Sequence, residues 1–265
     1  DSNSGKDIDI IAKIENRSGV DNIDEICEVA DGIMIARGDL GVEIPAMEVP
    51  SIQKYLIQKC RMLGKRVITA TEMLESMIYN PRPTRAELSD IANAVYDETS
   101  AVMLSGETAS GKYPVAAVKN MVETIAFTEK SISYEKRFKK AEFVIKNNLD
   151  AVSHSACAMA TDLKAKFIIV NSLSGHTARM VSRFRCPVDI IGMTYSERGW
   201  RKLNLSWGVI PILCGKFDSM EAMFQHDLTK VQEIFPLEKG DNLVLTGGAI
   251  NGRTGNTNIL KVEQI

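Results

Sequence analysis

The sequence predicts an α/β protein made of two consecutive domains, and three observations lead to that prediction. Between residues 8 and about 120, short β-branched runs alternate with polar or Gly-containing loops and helical patterns, which is typical of β/α units around a parallel sheet. The charged stretch SYEKRFKKAEF (133–143) then lacks a clear apolar stripe, and five further strand patterns follow it. We therefore expect one domain over residues 1–130 and a second over residues 131–265.

The first domain contains four strand patterns, each nearly all apolar before its final polar residue. Such runs suit strands that are covered on both faces. Helical patterns separate them, and the one over residues 84–97 begins with Thr84 and has Glu87 three residues later, which is a capping box. The predicted strands cover 8–14, 32–37, 66–71 and 101–105, and the other predicted helices cover 22–30, 50–63 and 114–132.

The second domain begins with a helical pattern over about 148–162 and continues with five strand patterns, the early ones separated by helical segments. This arrangement predicts a three-layer α/β domain of roughly 130 residues, which is an ordinary domain size. The predicted strands cover 166–172, 187–194, 208–215, 242–248 and 258–265.

Composition excludes two classes of partner. The formal charge is −2, aromatic residues make up 6%, and Lys and Arg form no block, so we expect no nucleic-acid partner. Every apolar run is far shorter than the ~18 residues that span a bilayer, and the first ten residues contain no apolar signal segment. We expect no membrane partner and a cytoplasmic location. Because the chain begins with Asp1 and reaches an apolar run within ten residues, we also expect it to be part of a longer protein.

Polar candidates stand at the carboxyl end of each apolar run in the first domain. In parallel β/α sheets and barrels this end is where active sites are built. Four successive strands therefore predict one functional edge. The candidates are Lys13 and Glu15 after the first run, Arg37, Gly38 and Asp39 after the second, Thr71 and Glu72 after the third, and Ser105 and Glu107 after the fourth.

The chemistry of Lys13, Glu15 and Asp39 favours a phosphate or enolate substrate. Lys13 and Glu15 lie two apart on an extended segment and leave it on the same side, which also fits a simple local ion pair. Glu15 and Asp39 on neighbouring strands form an all-oxygen pair that suits Mg²⁺ or Mn²⁺. An ammonium beside a divalent cation is the usual apparatus for phosphoryl transfer, and it equally suits enolate chemistry beside a metal.

Five long motifs in this first domain resemble the pyruvate kinase family. They are KIEN (13–16), GIMIARGDLGVEIP (32–45), ITATEMLESM (68–77), NPRPTRAELSDIANAV (80–95) and VMLSGETASGKYP (102–114). The resemblance implies a (β/α)₈ barrel that is interrupted by a small lid domain and followed by a C-terminal α/β domain. This chain then corresponds to half of a (β/α)₈ TIM barrel, with four β/α units, followed by the three-layer α/β domain.

The resemblance also implies a reaction and a set of roles. Phosphate passes from phosphoenolpyruvate to ADP, which gives ATP and an enolpyruvate that is protonated to pyruvate. Lys13 stabilises the phosphoryl group in transit, Glu15 and Asp39 hold Mg²⁺ or Mn²⁺, and K⁺ is required through ligands outside this chain. The implied substrate-binding set is Arg37, Gly38, Asp39 and Thr71, and the implied proton-delivery set is Thr71, Ser105 and Glu107. Without the resemblance, the SGET segment equally fits a helix cap.

A second resemblance lies in the C-terminal domain. The segment VNSLSGHTARMVSRF (170–184) is similar to the effector loop of pyruvate kinases, and LTGGAINGRTGNTNILKV (245–262) to the Gly-rich loop that faces it. Hydroxyl groups before a helix can cradle a phosphate, although an ordinary N-cap loop has the same composition. Leu173 stands where some sugar-bisphosphate-responsive members carry lysine, which argues against that effector and leaves a sugar monophosphate or a nucleotide monophosphate as open alternatives. The implied effector-binding residues are Ser172, Ser174, Gly175, His176 and Thr177.

The resemblance covers only the C-terminal part of the family pattern. An eight-stranded barrel typically takes ~250 residues, so half of the barrel, the lid domain and the arginine over the phosphate are expected to lie outside this chain. We therefore expect the chain alone to be inactive, and to form a homo-oligomer, either the family tetramer or a dimer of this fragment through its open sheet edges or its C-terminal domain. Two alternatives stay open: another metal-dependent barrel enzyme that acts on phosphoenolpyruvate or pyruvate, and a non-catalytic effector-binding and assembly module.

Overall fold

Two β-sheets, one parallel and one mainly parallel, lie one in each half of the chain and organise the fold. A computed structural model describes residues 8–248 and 257–265. Its contacts divide the chain into two compact units, Asp1–Ile132 and Ser133–Ile265. In the first unit four parallel strands lie side by side in chain order. Its elements are β1 (Ile11–Ile14), α1 (Arg17–Asp21), α2 (Ile23–Val29), β2 (Gly32–Ala36), α3 (Arg37–Glu43), α4 (Val49–Leu63), β3 (Arg66–Ala70), α5 (Arg85–Tyr96), β4 (Ala101–Val102), α6 (Gly106–Ala109) and α7 (Pro114–Ser131).

The two outer strands of this sheet are shorter than the sequence predicts. β1 begins at Ile11 because the backbone N–H of Ile10 donates to the Asp31 carboxylate at 2.9 Å instead of joining a strand ladder. β4 is limited to residues 101–102 and, among the described strands, pairs with β3 alone. Edge strands receive ladder hydrogen bonds from one side only, which favours early ends.

Helices cover one face of the first sheet more completely than the other. Ile33 and Ile35 of β2 lie fully buried in an apolar cluster together with residues of α2 and α4. On the opposite face Met34, Ile68 and Ala101 are neighbours in the strand register, and each is partly exposed. The expectation that these strands are covered on both faces is therefore not met within the described residues.

The start of α5 follows the predicted capping box. The Thr84 hydroxyl accepts from the Glu87 N–H at 3.2 Å, and the Glu87 carboxylate accepts from the Thr84 N–H at 2.7 Å. The same carboxylate accepts from the Ser76 hydroxyl at 2.6 Å, so the cap also anchors the segment before the helix.

Loss of this cap gives a small and measurable effect. Replacement of Thr84 by alanine is expected to destabilise the first unit by about 1 kcal/mol, since an N-cap acceptor is lost. Urea unfolding followed by circular dichroism measures this change. Replacement of the exposed residue Thr108, whose hydroxyl donates to the Ser105 carbonyl at 3.4 Å and caps no helix N–H, by alanine is the matched control. Equal unfolding midpoints for both variants would contradict the assigned cap.

In the described part of the second unit, five strands form a sheet in the order β7-β6-β5-β8-β9, in which β9 alone is antiparallel to its neighbour. Apolar clusters lie on both faces, one with α9 and α10 and the other with α12, which produces three layers. The charged stretch at the start, for which no element was predicted, forms a short helix. The elements are α8 (Tyr134–Lys140), α9 (Asn148–Asp162), β5 (Phe167–Asn171), α10 (His176–Ser182), β6 (Ile190–Thr194), α11 (Glu197–Leu203), β7 (Val209–Leu213), α12 (Met220–Ile234), β8 (Asn242–Gly248) and β9 (Thr257–Gln264).

None of the helices within the described ranges is both long and apolar enough to cross a membrane.

Candidate active site

Three of the predicted residues form a charged cluster at the carboxyl edge of the first sheet. Lys13 lies on β1, Glu15 follows this strand, and Asp39 lies in the first turn of α3, directly after β2. The Lys13 Nζ is 2.8 Å from Glu15 Oε2 and 3.2 Å from Asp39 Oδ2. These hydrogen bonds, first that to Glu15 and then that to Asp39, raise the pKa of the Lys13 ammonium. Side chains from two neighbouring strands therefore meet at one point, and all three remain accessible to water.

The two carboxylates fit a hard divalent cation. Glu15 and Asp39 each direct an oxygen to the same ammonium, with side-chain exposures of 43% and 57%. Mg²⁺ typically takes one or two protein carboxylates and keeps water or substrate oxygens in its other positions. In the described part of the chain, no group of three or more His, Cys, Asp or Glu residues is arranged to hold a metal ion. The donor chemistry here is that of a two-carboxylate site completed by water and substrate.

Thr71 lies beside this cluster, at the end of β3. Its hydroxyl accepts a hydrogen bond from the Gly38 N–H at 2.7 Å and donates to the Ala70 carbonyl at 2.7 Å. Thr71 and Glu72 have φ angles of 68° and 54°. The left-handed region is unusual for a β-branched residue, so the turn after β3 holds the Thr71 hydroxyl in an uncommon conformation.

Arg37 is directed into the first unit. Its guanidinium donates to the carbonyl oxygens of Ala70 and Thr71 at 3.2 and 2.6 Å, and it forms an ion pair with Asp90 at 2.7 Å. The Arg37 side chain is only 10% exposed. In this structure its donors are therefore directed to protein acceptors, whereas the resemblance implies a contact with substrate.

Glu107 is also buried, with 1% of its surface exposed. One carboxylate oxygen accepts from the Leu74 N–H at 3.0 Å, and the other accepts from the Ser105 N–H at 2.7 Å. Glu107 therefore connects the turn after β3 to the turn after β4. Ser105, the remaining predicted residue at this edge, is partly buried in the latter turn.

The predicted effector loop lies at the carboxyl end of β5. Ser172 and Thr177 are buried; the Ser172 hydroxyl accepts from the Thr177 N–H at 3.1 Å, and the Thr177 hydroxyl pairs with that of Thr257 at 2.7 Å. Ser174 is exposed, and Gly175 has a φ of 79°, which suits glycine. His176 begins α10 and is partly exposed. The Gly-rich segment that the resemblance implies to face this loop falls mostly on residues 249–256, outside the described residues.

Two partners of the site were missed at the level of sequence. Asp90 binds Arg37 from α5, and Gln53 approaches the same guanidinium from α4 at 3.4 Å. Neither lies in a strand-end position. The sequence around Asp90 shows only a polar residue on a helix whose other face is apolar, and this pattern does not distinguish an ion-pair partner from an ordinary surface residue.

Fold and site together define an α/β protein with a lysine–carboxylate cluster at the carboxyl edge of a parallel sheet, where enzymes of this architecture build active sites. Comparisons with family models match both parts of the chain. Residues 2–118 match the model described as "Pyruvate kinase, barrel domain", and residues 150–263 match "Pyruvate kinase, alpha/beta domain". The chain belongs to the pyruvate kinase family.

Individual relatives agree along almost the whole chain. A pyruvate kinase of Clostridium acetobutylicum is 49% identical over 99% of this chain and 56% of its own length. Those of Sporosarcina psychrophila and Clostridium perfringens are 46% and 44% identical over 100% of this chain, and 45% and 56% of their own lengths. The chain therefore spans about half the length of the curated relatives it matches.

Proposed function

We propose that this chain supplies the metal-binding and phosphoryl-stabilising half of a pyruvate kinase active site. The reaction is phosphoryl transfer from phosphoenolpyruvate to ADP, which gives pyruvate and ATP in glycolysis. The contact of one ammonium with two carboxylates, Lys13 with Glu15 and Asp39, is the single observation that supports this assignment most strongly.

Each residue of the cluster has a distinct role in this proposal. Lys13 neutralises charge on the phosphoryl group while it moves, because phosphoryl transfer depends mainly on positioning and charge stabilisation. The Gly38 and Asp39 backbone orients the substrate carboxylate together with the Thr71 hydroxyl. Thr71 and Ser105 lie on the side from which the enolate carbon receives its proton.

Glu15 and Asp39 are the proposed ligands of Mg²⁺ or Mn²⁺. A bound divalent cation neutralises developing charge on the phosphoryl and enolate oxygens. The K⁺ dependence of the family is part of the proposal, with ligands that this chain does not supply.

The metal assignment is tested without turnover. Replacement of Glu15 by glutamine, or of Asp39 by asparagine, is expected to weaken Mn²⁺ binding by the purified chain about tenfold or more, since each removes a charged oxygen ligand. Electron paramagnetic resonance of free Mn²⁺ measures the binding. Replacement of Glu43, an exposed carboxylate on α3, by glutamine is the matched control. Unchanged affinity in both variants would refute the two-carboxylate site.

The first unit is proposed to be half of a (β/α)₈ barrel. Its sheet has two edge strands, β1 and β4, and its less covered face carries the partly exposed row of Met34, Ile68 and Ala101. The coverage of about half of each relative supports the same interpretation. A further half-barrel would pair with these edges and bury this row. The chain alone is accordingly proposed to be inactive.

Reconstitution tests the proposed function. The purified chain is mixed with the separately expressed N-terminal half of the Clostridium acetobutylicum relative. Pyruvate formation is then measured with phosphoenolpyruvate, ADP, Mg²⁺ and K⁺. Activity from the mixture and none from either part is the expected result. A folded mixture without activity would favour the non-catalytic effector-binding and assembly module, and turnover by the chain alone would contradict its proposed inactivity.

The C-terminal unit is proposed to bind a phosphorylated effector and to contribute to a homo-oligomer. Exposed Ser174 and the loop backbone are the proposed phosphate contacts, because the Ser172 and Thr177 hydroxyls bond within the protein. Leu173 supplies no cation for a second phosphate, which supports a monophosphate.

A further inference from the structure

The turn from Thr71 to Leu74 is held in place from two sides. Its first two residues have the positive φ angles described above. A left-handed β-branched residue persists only where surrounding groups determine its conformation, and such outliers concentrate at functional sites. The groups that hold this turn therefore control where the Thr71 hydroxyl lies.

Arg37 holds the beginning of the turn. Its guanidinium donates to the Ala70 and Thr71 carbonyls, and the 2.7 Å ion pair with Asp90 fixes the guanidinium itself. Arginine suits this task because its planar group offers several donors in a fixed geometry, whereas lysine offers a compact charge on a flexible stem. The carbonyls can keep these bonds only while Thr71 keeps its conformation.

Glu107 holds the end of the turn. Its buried carboxylate accepts from the Leu74 N–H at 3.0 Å and from the Ser105 N–H at 2.7 Å. A glutamine in its place would direct an amide NH₂ group at one of these backbone donors, and a buried donor without an acceptor is unfavourable. The position of the turn therefore depends on a carboxylate at residue 107.

We propose that Arg37 and Glu107 are positioning residues that act through Thr71, and that neither contacts the substrate or delivers the proton. This inference rests on the proposed function, because Thr71 is assigned there to substrate orientation and protonation. Between the two clamps the Thr71 hydroxyl accepts from the Gly38 N–H, which lies next to the metal ligand Asp39. The clamps thus set the distance between the protonating side of the site and its metal side.

A double-mutant cycle in the reconstituted enzyme tests this coupling. R37K and E107Q are each expected to lower kcat about tenfold in the parent, and less than about twofold when T71A is already present. Additive losses would overturn the proposal, because a residue that acts on substrate directly, or only on stability, loses activity with or without Thr71. R82K, at an exposed position, is the control and is expected to leave kcat unchanged.

Amide hydrogen exchange in the isolated chain gives a readout that does not need activity. Glu107 contacts the backbone N–H groups of Leu74 and Ser105. An effect of its substitution on the Gly38 amide must therefore be transmitted through the Thr71–Leu74 turn. E107Q is expected to accelerate hydrogen exchange of the Gly38 amide about tenfold. R37K is expected to accelerate hydrogen exchange of the Leu74 amide by a similar factor. Unchanged exchange at both amides would overturn the clamp even if reconstitution succeeds. Accelerated exchange without activity in the reconstituted parent would retain the clamp and refute the proposed function.

Discussion

Replacement of Lys13 by methionine is expected to lower the turnover number of the reconstituted enzyme by about 10³-fold or more. Methionine keeps a similar length and removes the charge. The lost ammonium is the one that lies 2.8 Å from Glu15 and 3.2 Å from Asp39. Because phosphoryl transfer relies on neutralisation of moving charge, the effect should appear in kcat and only weakly in KM.

The same variant separates loss of the ammonium from loss of the metal. In the parent, Lys13 bonds both carboxylates and would compete with a bound cation for them. Its removal leaves two adjacent carboxylates unneutralised, so Mn²⁺ affinity of the Lys13→Met chain is expected to stay equal or to increase.

Two outcomes decide this prediction. Replacement of exposed Lys119 by methionine is the matched control, and it should retain full turnover. If Lys13→Met reconstitutes an enzyme within about tenfold of the parent, the phosphoryl-stabilising role is wrong. If instead it loses Mn²⁺ binding together with activity, the lysine acts by holding the carboxylates in position.

The meeting of Lys13, Glu15 and Asp39 followed from the sequence because it needs little three-dimensional information. Neighbouring parallel strands end at one edge, so residues at or just beyond the ends of β1 and β2 lie close together. Helices that carry clear local sequence signals could also be predicted. The predicted helix at about 148–162 matches α9, and Thr84 caps α5 as the capping box requires.

The inward direction of Arg37 and Glu107 could not be derived in this way. Arg37 and Asp90 are 53 residues apart, and Glu107 lies 33 residues from Leu74, so no local pattern joins either pair. A charged residue at a strand end looks the same in sequence whether it faces a ligand or the backbone of the next loop. Burial and partner geometry decide between these roles, and both depend on the packing of distant segments.

The second large effect concerns the stability of the C-terminal unit. Asp227 lies on α12 and is 0% exposed. One carboxylate oxygen accepts from the Asn171 side chain at 2.5 Å, and the other has no hydrogen-bond partner among the described residues. Burial raises the pKa of this carboxyl to about 6, against 3.8 for an ordinary aspartate, while the bond from Asn171 partly opposes the shift. Compared with the unfolded chain, the folded unit therefore favours the neutral acid.

The direction of the pH effect follows from that raised pKa. A group whose pKa is higher in the folded state contributes stability below its unfolded value, and this contribution is lost as pH rises through about 6. A shift of about two units corresponds to about 3 kcal/mol, so the parent should lose up to this amount between pH 4 and pH 8. Cys214, which also faces Asp227, has its pKa raised to about 11 by burial and does not titrate in this window.

Replacement of Asp227 by asparagine removes this titration and keeps the shape of the side chain. The stability difference between variant and parent is expected to shift by about 2 kcal/mol in favour of the variant between pH 4 and pH 8. Both tryptophans, Trp200 and Trp207, lie in the C-terminal unit, so urea unfolding followed by tryptophan fluorescence reports on that unit.

Comparison at two pH values makes the result independent of the absolute effect of the substitution. Asparagine places an amide where the second oxygen of Asp227 has no partner, and this penalty is the same at both pH values. Exposed Asp218, replaced by asparagine, is the matched control and should show no such shift. The prediction is contradicted if the stability of the Asp227→Asn chain follows that of the parent at every pH. The Asp227 carboxyl would then stay ionised across this pH range, and water inside the C-terminal unit would have to solvate it.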